Sequence, residues 1–159
     1  ENLIEINSFN MVMAIFSAFQ NAAVHRLNHS FGSVHKRTTE SMERIENLLS
    51  SRNSYKTYRD MLNSVRPPCI PFLGVYLSDL TFIDEGNPKI VKGLVNFRKK
   101  QLEYGVIVQV LRFQSQAYQF KLLPKFSQLF KSLPQMTDQQ LYEASLSIEP
   151  RKAKKKDIK

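Results

Sequence analysis

His25 and His29 stand four residues apart, the spacing at which two imidazoles on one helical face can ligate zinc. A zinc protease of that type has a glutamate directly after the first histidine as its general base. Arg26 occupies that place here and no third ligand follows at metal spacing, so two surface or packing histidines account for the pair and no metal is expected. The single cysteine, Cys69, lies between Pro68 and Ile70-Pro71, an apolar setting that does not lower a thiol pKa. Its expected role is structural. The five glycines, Gly32, Gly74, Gly86, Gly93 and Gly105, are isolated from one another, so no Gly-rich loop exists to cradle a phosphate and no cofactor is expected. Asn28-His29-Ser30 is formally a glycosylation sequon, but the opening residues are acidic and lack the basic start of a secretory signal, so it is expected to be silent. No residue set for covalent catalysis remains, and the chain reads as a non-enzyme.

One dense segment is left, P-P-C-I-P-F-L-G-V-Y-L-S-D-L-T-F-I-D-E-G-N-P at residues 67–88. Helical periodicity splits it into two faces. Phe72, Val75, Tyr76, Leu80 and Ile83 form an apolar stripe for a core, while Ser78, Thr81, Phe82 and Glu85 lie along another side. A merely solvated face would explain that second side, and periodicity alone cannot overrule it.

The elements that must position this segment read as nearly all helix. Prolines 67, 68, 71, 88, 124, 134 and 150 fall between periodic stretches. Over residues 9–20, Phe9, Val12, Met13, Phe16 and Phe19 recur at helical intervals behind Asn7 and Ser8 as cap candidates. A short segment follows at 25–35. Thr38 or Thr39 then opens a helix with Met42, Ile45, Leu48 and Leu49 on one face, and Asn53 or Ser54 is expected to cap the next, with Tyr55, Tyr58, Met61 or Leu62, and Val65 inward. Residues 72–85 form a helix stopped by Gly86-Asn87-Pro88. The absence of proline until Pro124 predicts one long helix over about 90–116, with Leu94, Leu102, Val106, Val110 and Phe113 on a stripe. Such a helix would span ~40 Å, longer than a small domain is wide. The expected fold class is therefore all-α, an irregular helical domain with a protruding antiparallel helical hairpin. Helices at 122–133 and 138–147 complete it, the last opened by the capping box Thr137-x-x-Gln140.

Size and charge fit one soluble domain. The 159 residues are 42% hydrophobic, enough for a core, and contain no apolar run of the roughly 20 residues that a membrane span requires. A lone cysteine fits a reducing compartment. The net charge of +9 is uneven: residues 151–159 hold six basic groups against Asp157 and supply five of the nine charges. The domain proper is expected at 1–150 and a basic, disordered tail at 151–159. A solvated terminus and a polybasic contact with an anionic inner leaflet are both readings of that tail. Basic residues interleaved with aromatics on one surface, which a nucleic-acid groove needs, are absent; a basic helical nucleic-acid binder is a rival reading, and no nucleic acid is expected as partner.

At residues 67–88 the sequence resembles the catalytic domain of Ras-type guanine nucleotide exchange factors. The resemblance extends through Asn7-Ser8-Phe9-Asn10, Ser17-Ala18-Phe19, Asn53 to Arg59, Asn96-Phe97, Gln114 to Tyr118, and Ser145-Leu146-Ser147-Ile148-Glu149-Pro150-Arg151. It covers the chain up to the tail and is similar to the C-terminal part of the family's domain, whose N-terminal helices would complete the core. Phe31, Gln20, His25 and Ala117 depart from the family's usual residues. Arg26-Leu27-Asn28-His29-Ser30-Phe31 is similar to the R-L-D-H-T-F of the son-of-sevenless branch, which favours Ras over Rap or Ral.

The resemblance implies exchange without covalent chemistry: a helical hairpin wedges open the nucleotide site of a Ras-family small GTPase, with helix 72–85 as the wedge. Glu85 falls on the position whose carboxylate approaches the phosphate loop, and Thr81 on the one that blocks the magnesium site. Tyr55 and Phe72 fall on positions that pack against the second switch segment; Ser78, Asp79 and Asn87 flank the first. Core packing or helix capping is the competing account of each of these five. A carboxylate about 4 Å from a phosphate charge is opposed by ~4 kcal/mol at an effective dielectric near 20. A fragment that binds the GTPase without exchanging its nucleotide is the alternative. The expected location is cytoplasmic, with recruitment to the inner face of the plasma membrane.

Overall fold

The computed structural model describes residues 1–152 and 154, so most of the basic tail lies outside the described residues. In chain order the elements are α1 (Asn2–Glu5), α2 (Phe9–Gln20), α3 (Ala22–His25), α4 (Asn28–Phe31), α5 (Lys36–Leu48), α6 (Lys56–Ser64), α7 (Gly74–Gly86), β1 (Ile90–Val91), β2 (Leu94–Val95), α8 (Phe97–Arg112) with a 3₁₀ turn at Phe113–Ser115, α9 (Pro124–Ser132) and α10 (Asp138–Ile148). The fold is mostly α, as the periodicity requires. No helix among the described residues is long and apolar enough to cross a membrane. The chain divides into two compact units, one of residues 1–14 and 44–118, the other of 15–43 and the chain from Gln119 onward.

The first unit owns most of the apolar core. Phe9, Val12, Leu49, Tyr58, Leu62, Cys69, Val75, Tyr76 and Phe113 are all buried. Phe9, Val12, Tyr58, Leu62, Val75 and Tyr76 are inward positions that the 3.6-residue period selects on α2, α6 and α7, while Leu49, Cys69 and Phe113 fill in from segments outside those helices. Phe9 meets Tyr58 edge-on, ring centres 5.7 Å apart. The proline-rich approach to α7 is tied down by backbone pairing: Ile70 N donates to Asn7 O (2.9 Å) and Asn10 N to Ile70 O (3.1 Å). Burial pushes the Cys69 thiol up to about 11, so it stays protonated and packs as a small apolar group.

Two expectations are corrected here. The single long helix over 90–116 does not form; β1 and β2 pair antiparallel, Ile90 with Val95 and Val91 with Leu94, and α8 begins only at Phe97. The physical cause is Lys92-Gly93, where both residues have positive φ (50° and 78°), the backbone of a two-residue hairpin turn. Asn96 then restarts the helix, its Oδ1 accepting from Lys99 N at 3.2 Å. Asn53 and Ser54 likewise do not cap α6. Asn53, Ser54 and Tyr55 are three successive left-handed residues, and Tyr55 occupies the cap position without a side-chain cap bond.

The second unit relies on polar closure. α10, opened by the expected Thr137/Gln140 capping box, packs on α3. From α3's end, Arg26 donates to Ser145 O (2.8 Å), Ser145 Oγ (3.2 Å) and Glu149 O (2.7 Å). Glu149 in turn accepts from Ser30 N (2.6 Å) and Ser30 Oγ (2.8 Å) at the start of α4. Burial opposes its ionisation, yet the bonds from Ser30 and His29 outweigh it and hold the carboxyl below its usual range. The Arg26–Phe31 and Ser145–Arg151 segments, far apart in sequence, are thus one hydrogen-bonded cluster. Phe120, Leu122, Phe126 and Phe130, on and before α9, are exposed.

Candidate functional site

Helix α7 and its surroundings bring the sequence-predicted residues together in the first unit. It starts at Gly74, two residues later than expected, because Phe72 is held in the approach: its backbone N–H donates to the Tyr58 hydroxyl at 2.7 Å, and its ring lies 6.2 Å from that of Tyr55. Tyr58 is fully buried, and burial raises its hydroxyl pKa strongly. Val75 and Tyr76 are buried, Leu80 and Ile83 partly so, and Leu77, Ser78, Thr81, Phe82 and Glu85 are exposed. The exposed set falls at i, i+1, i+4, i+5 and i+8, a single helical strip.

Within that strip the hydroxyl protons are already used. Ser78 Oγ donates to Gly74 O (2.9 Å) and Thr81 Oγ1 to Leu77 O (3.0 Å), the back-bonding of a helical Ser or Thr to the preceding turn. The strip therefore presents Leu77 and Phe82, 62% and 69% exposed, with back-bonded hydroxyls and Glu85 at the end; Asp84 beside it, its side chain 57% exposed, is ion-paired to Lys99. Among the described residues no side-chain bond ties Glu85 to the rest of the chain. Asn87 does not stand free beside it: its Nδ2 donates to Ile83 O at 3.0 Å.

Asp79 is turned inward. Both of its carboxylate oxygens accept from Arg59, at 2.7 and 2.8 Å, in a bidentate pair with each side chain about 30% exposed. Arg59 also donates to Val75 O (3.3 Å) and, through Nε, to Ser54 O (2.7 Å) in the left-handed turn. A second cation holds the other end of α7. Lys99 of α8, 1% exposed, donates from Nζ to Asp84 O (3.0 Å), Asp84 Oδ1 and Asn87 O (2.9 Å). That bond and the Lys99 charge lower the Asp84 carboxyl below its usual range. α7 and α8 pack together, and Asp79, Phe82 and Ile83 share a groove with Gln101, Leu102 and Val106.

Arg59 and Lys99 escaped the sequence reading as site residues, although Lys99 had a signal. It stands one step before Leu102, Val106, Val110 and Phe113 on the α8 stripe, where an unpaired lysine could not be buried. Among the described residues no group of three or more His, Cys, Asp or Glu side chains could hold a metal.

The sequence profile of the RasGEF domain matches residues 1–101, nearly two thirds of the chain. This chain belongs to the RasGEF family. Ras guanine nucleotide exchange factors J and K of Dictyostelium discoideum are each 39% identical to it, over 96% and 99% of the chain. Ras-specific guanine nucleotide-releasing factor 2 of Danio rerio is 39% identical over 92%. The chain spans 19%, 10% and 12% of those three proteins' lengths, so it corresponds to one part of each. In this RasGEF chain the matched profile contains α7, the tongue formed by β1 and β2, and the start of α8 through Gln101, Lys99 included.

Proposed function

We propose that the chain is a guanine nucleotide exchange factor for a Ras-family small GTPase and that α7 is its wedge. The carrying observation is the exposed strip of α7, which carries Leu77 and Phe82 and ends in Glu85, a carboxylate with no cation partner among the described residues, on a helix fastened by Arg59 and Lys99. Entering a nucleotide site, such a strip displaces without needing chemistry of its own. Thr81, its hydroxyl donating to Leu77 O, would block the magnesium site by occupying it. Glu85, at the negative end of the helix dipole, repels the phosphates of bound GDP. Tyr55 and Phe72, in tilted ring contact at the foot of α7, and Ser78 on the strip form the adjoining GTPase contact. Asp79 and Asn87 act there through their bonds to Arg59 and Ile83. Each tenfold gain in release requires ~1.4 kcal/mol of differential stabilisation of the opened GTPase, and no cofactor takes part.

The son-of-sevenless-like run at 26–31 favours Ras over Rap or Ral as substrate. The basic residues from Arg151 on, attracted to anionic lipid, would recruit a cytoplasmic protein to the inner face of the plasma membrane.

The test is release of labelled GDP from Ras. The wild-type chain accelerates it, and Glu85→Arg lowers the acceleration at least tenfold with helicity by circular dichroism unchanged. An unchanged rate with unchanged helicity overturns the wedge assignment. The wild-type chain also retains nucleotide-free Ras in preference to GDP-loaded Ras; equal retention without accelerated release assigns it instead as a binding module.

A further inference from the structure

Two carboxylates, Asp84 and Glu85, follow one another in the last turn of α7, where the helix's own carbonyls add partial negative charge. Such a sequence disfavours the helix end unless a cation arrives. It comes from α8, in a form that is costly to build: a lysine with 1% exposure, stripped of water and of its rotamer freedom. Its ammonium has three acceptors, two of them main-chain carbonyls at residues 84 and 87, either side of Glu85. A surface lysine would serve to offset Asp84's charge. Bonds to the backbone on both sides of Glu85 do something further, since they fix the path of the chain there.

We infer that Lys99 is the positioning residue of the exchange site: it pins residues 84–87 and neutralises Asp84, leaving Glu85 as the one carboxylate of α7 without a cation partner among the described residues, held in a fixed place. This rests on the exchange-factor reading given above. Lys99 acts through Glu85 and touches neither nucleotide nor GTPase. Asn96 couples the same end of α7 to the tongue, its Nδ2 donating to Pro88 O (2.8 Å) and its backbone N–H to Lys89 O (2.9 Å), so that the pinned turn and the base of the tongue form one hydrogen-bonded joint.

The test is a mutant cycle on GDP release by the 159-residue chain from Ras, with maximal rate and half-saturating chain concentration read separately. Lys99→Met is expected to lower the maximal rate about as much as Glu85→Ala, at least tenfold. In the Glu85→Ala background it is expected to change the rate less than twofold, because the group it positions is gone. Lys99→Arg, which keeps the charge, restores part of the rate. Additive losses from Lys99→Met and Glu85→Ala overturn the inference, since a merely structural lysine acts whether or not Glu85 is present. Failure of Glu85→Ala itself to slow release overturns the exchange-site reading instead. Should Lys99→Met unfold the chain, Asp84→Ala takes its place in the cycle: its side chain is 57% exposed, its loss removes the anion that Lys99 holds, and the same non-additivity is required.

Discussion

Removing the Arg59–Asp79 pair tests the support of α7 from its other end. The pair is bidentate, at 2.7 and 2.8 Å, with each side chain about 30% exposed, so its strength lies between that of a solvated pair and a buried one. A coupling of ~1–2 kcal/mol is the consequence, after discounting for solvent screening. Arg59 makes two further bonds, to Val75 O and Ser54 O, worth ~0.5–1.5 kcal/mol each. Arg59→Ala is therefore expected to cost ~2–5 kcal/mol and Asp79→Ala ~1–2 kcal/mol. The bond to Ser54 has special weight because Asn53, Ser54 and Tyr55 are all left-handed, a conformation costing ~1–2 kcal/mol per residue outside glycine. Urea unfolding followed by circular dichroism on the two single variants and the double variant measures the coupling; each kcal/mol also moves the melting temperature by ~2–4 °C. A coupling below ~0.3 kcal/mol, or an Arg59→Ala no costlier than Asp79→Ala, refutes the assignment of Arg59 as the joint between the turn and α7.

Acidification probes the second unit. The folded-state Glu149 carboxyl lies below its ordinary value of 4.5, so its contribution to stability is complete above that pH and disappears as pH falls through the folded value. Glu149→Gln is expected to flatten the acid limb of stability against pH by up to about one proton, measured by urea unfolding at a series of pH values below 5; an identical slope would contradict the polar closure around Ser30. In the tongue, Gly93→Ala places a Cβ at φ 78° and is expected to weaken the β1–β2 pairing by ~1 kcal/mol, although no atom crowds the position. Lys92→Asn, at φ 50°, strengthens it, and amide exchange at Leu94 and Val95 should move in opposite directions in the two variants.

Local patterns were legible where packing and local preference agree. On α2 the apolar period fixed the bounds of the helix; of its five apolar positions Phe9 and Val12 are buried, Met13 and Phe16 partly so, and Phe19 is exposed. On α7 the same arithmetic separated Val75 and Tyr76 from Ser78, Thr81, Phe82 and Glu85 before any coordinates. The Thr137/Gln140 box was readable because both of its bonds lie within four residues. Reading failed at 90–95, where an apolar stripe in helical register overrode the Lys92-Gly93 turn signal, and at 53–55, where cap-type residues serve a left-handed turn held by Arg59.

By itself the sequence determined a mostly helical chain, the two faces of α7, and membership in the RasGEF family through a long, specific motif. The tertiary structure decided how the charges are spent. Asp79 and Asp84 are as acidic as Glu85 in the sequence, yet Arg59 and Lys99 take the first two and leave the third without a cation partner among the described residues. Those pairings join residues 20 and 15 positions apart, and Arg26 meets Ser145 across 119. Periodicity reports only neighbours within a few turns. Which carboxylate stays unpaired depends on which distant cation the fold brings within about 3 Å, and that distance exists only once α6, α7 and α8 have packed.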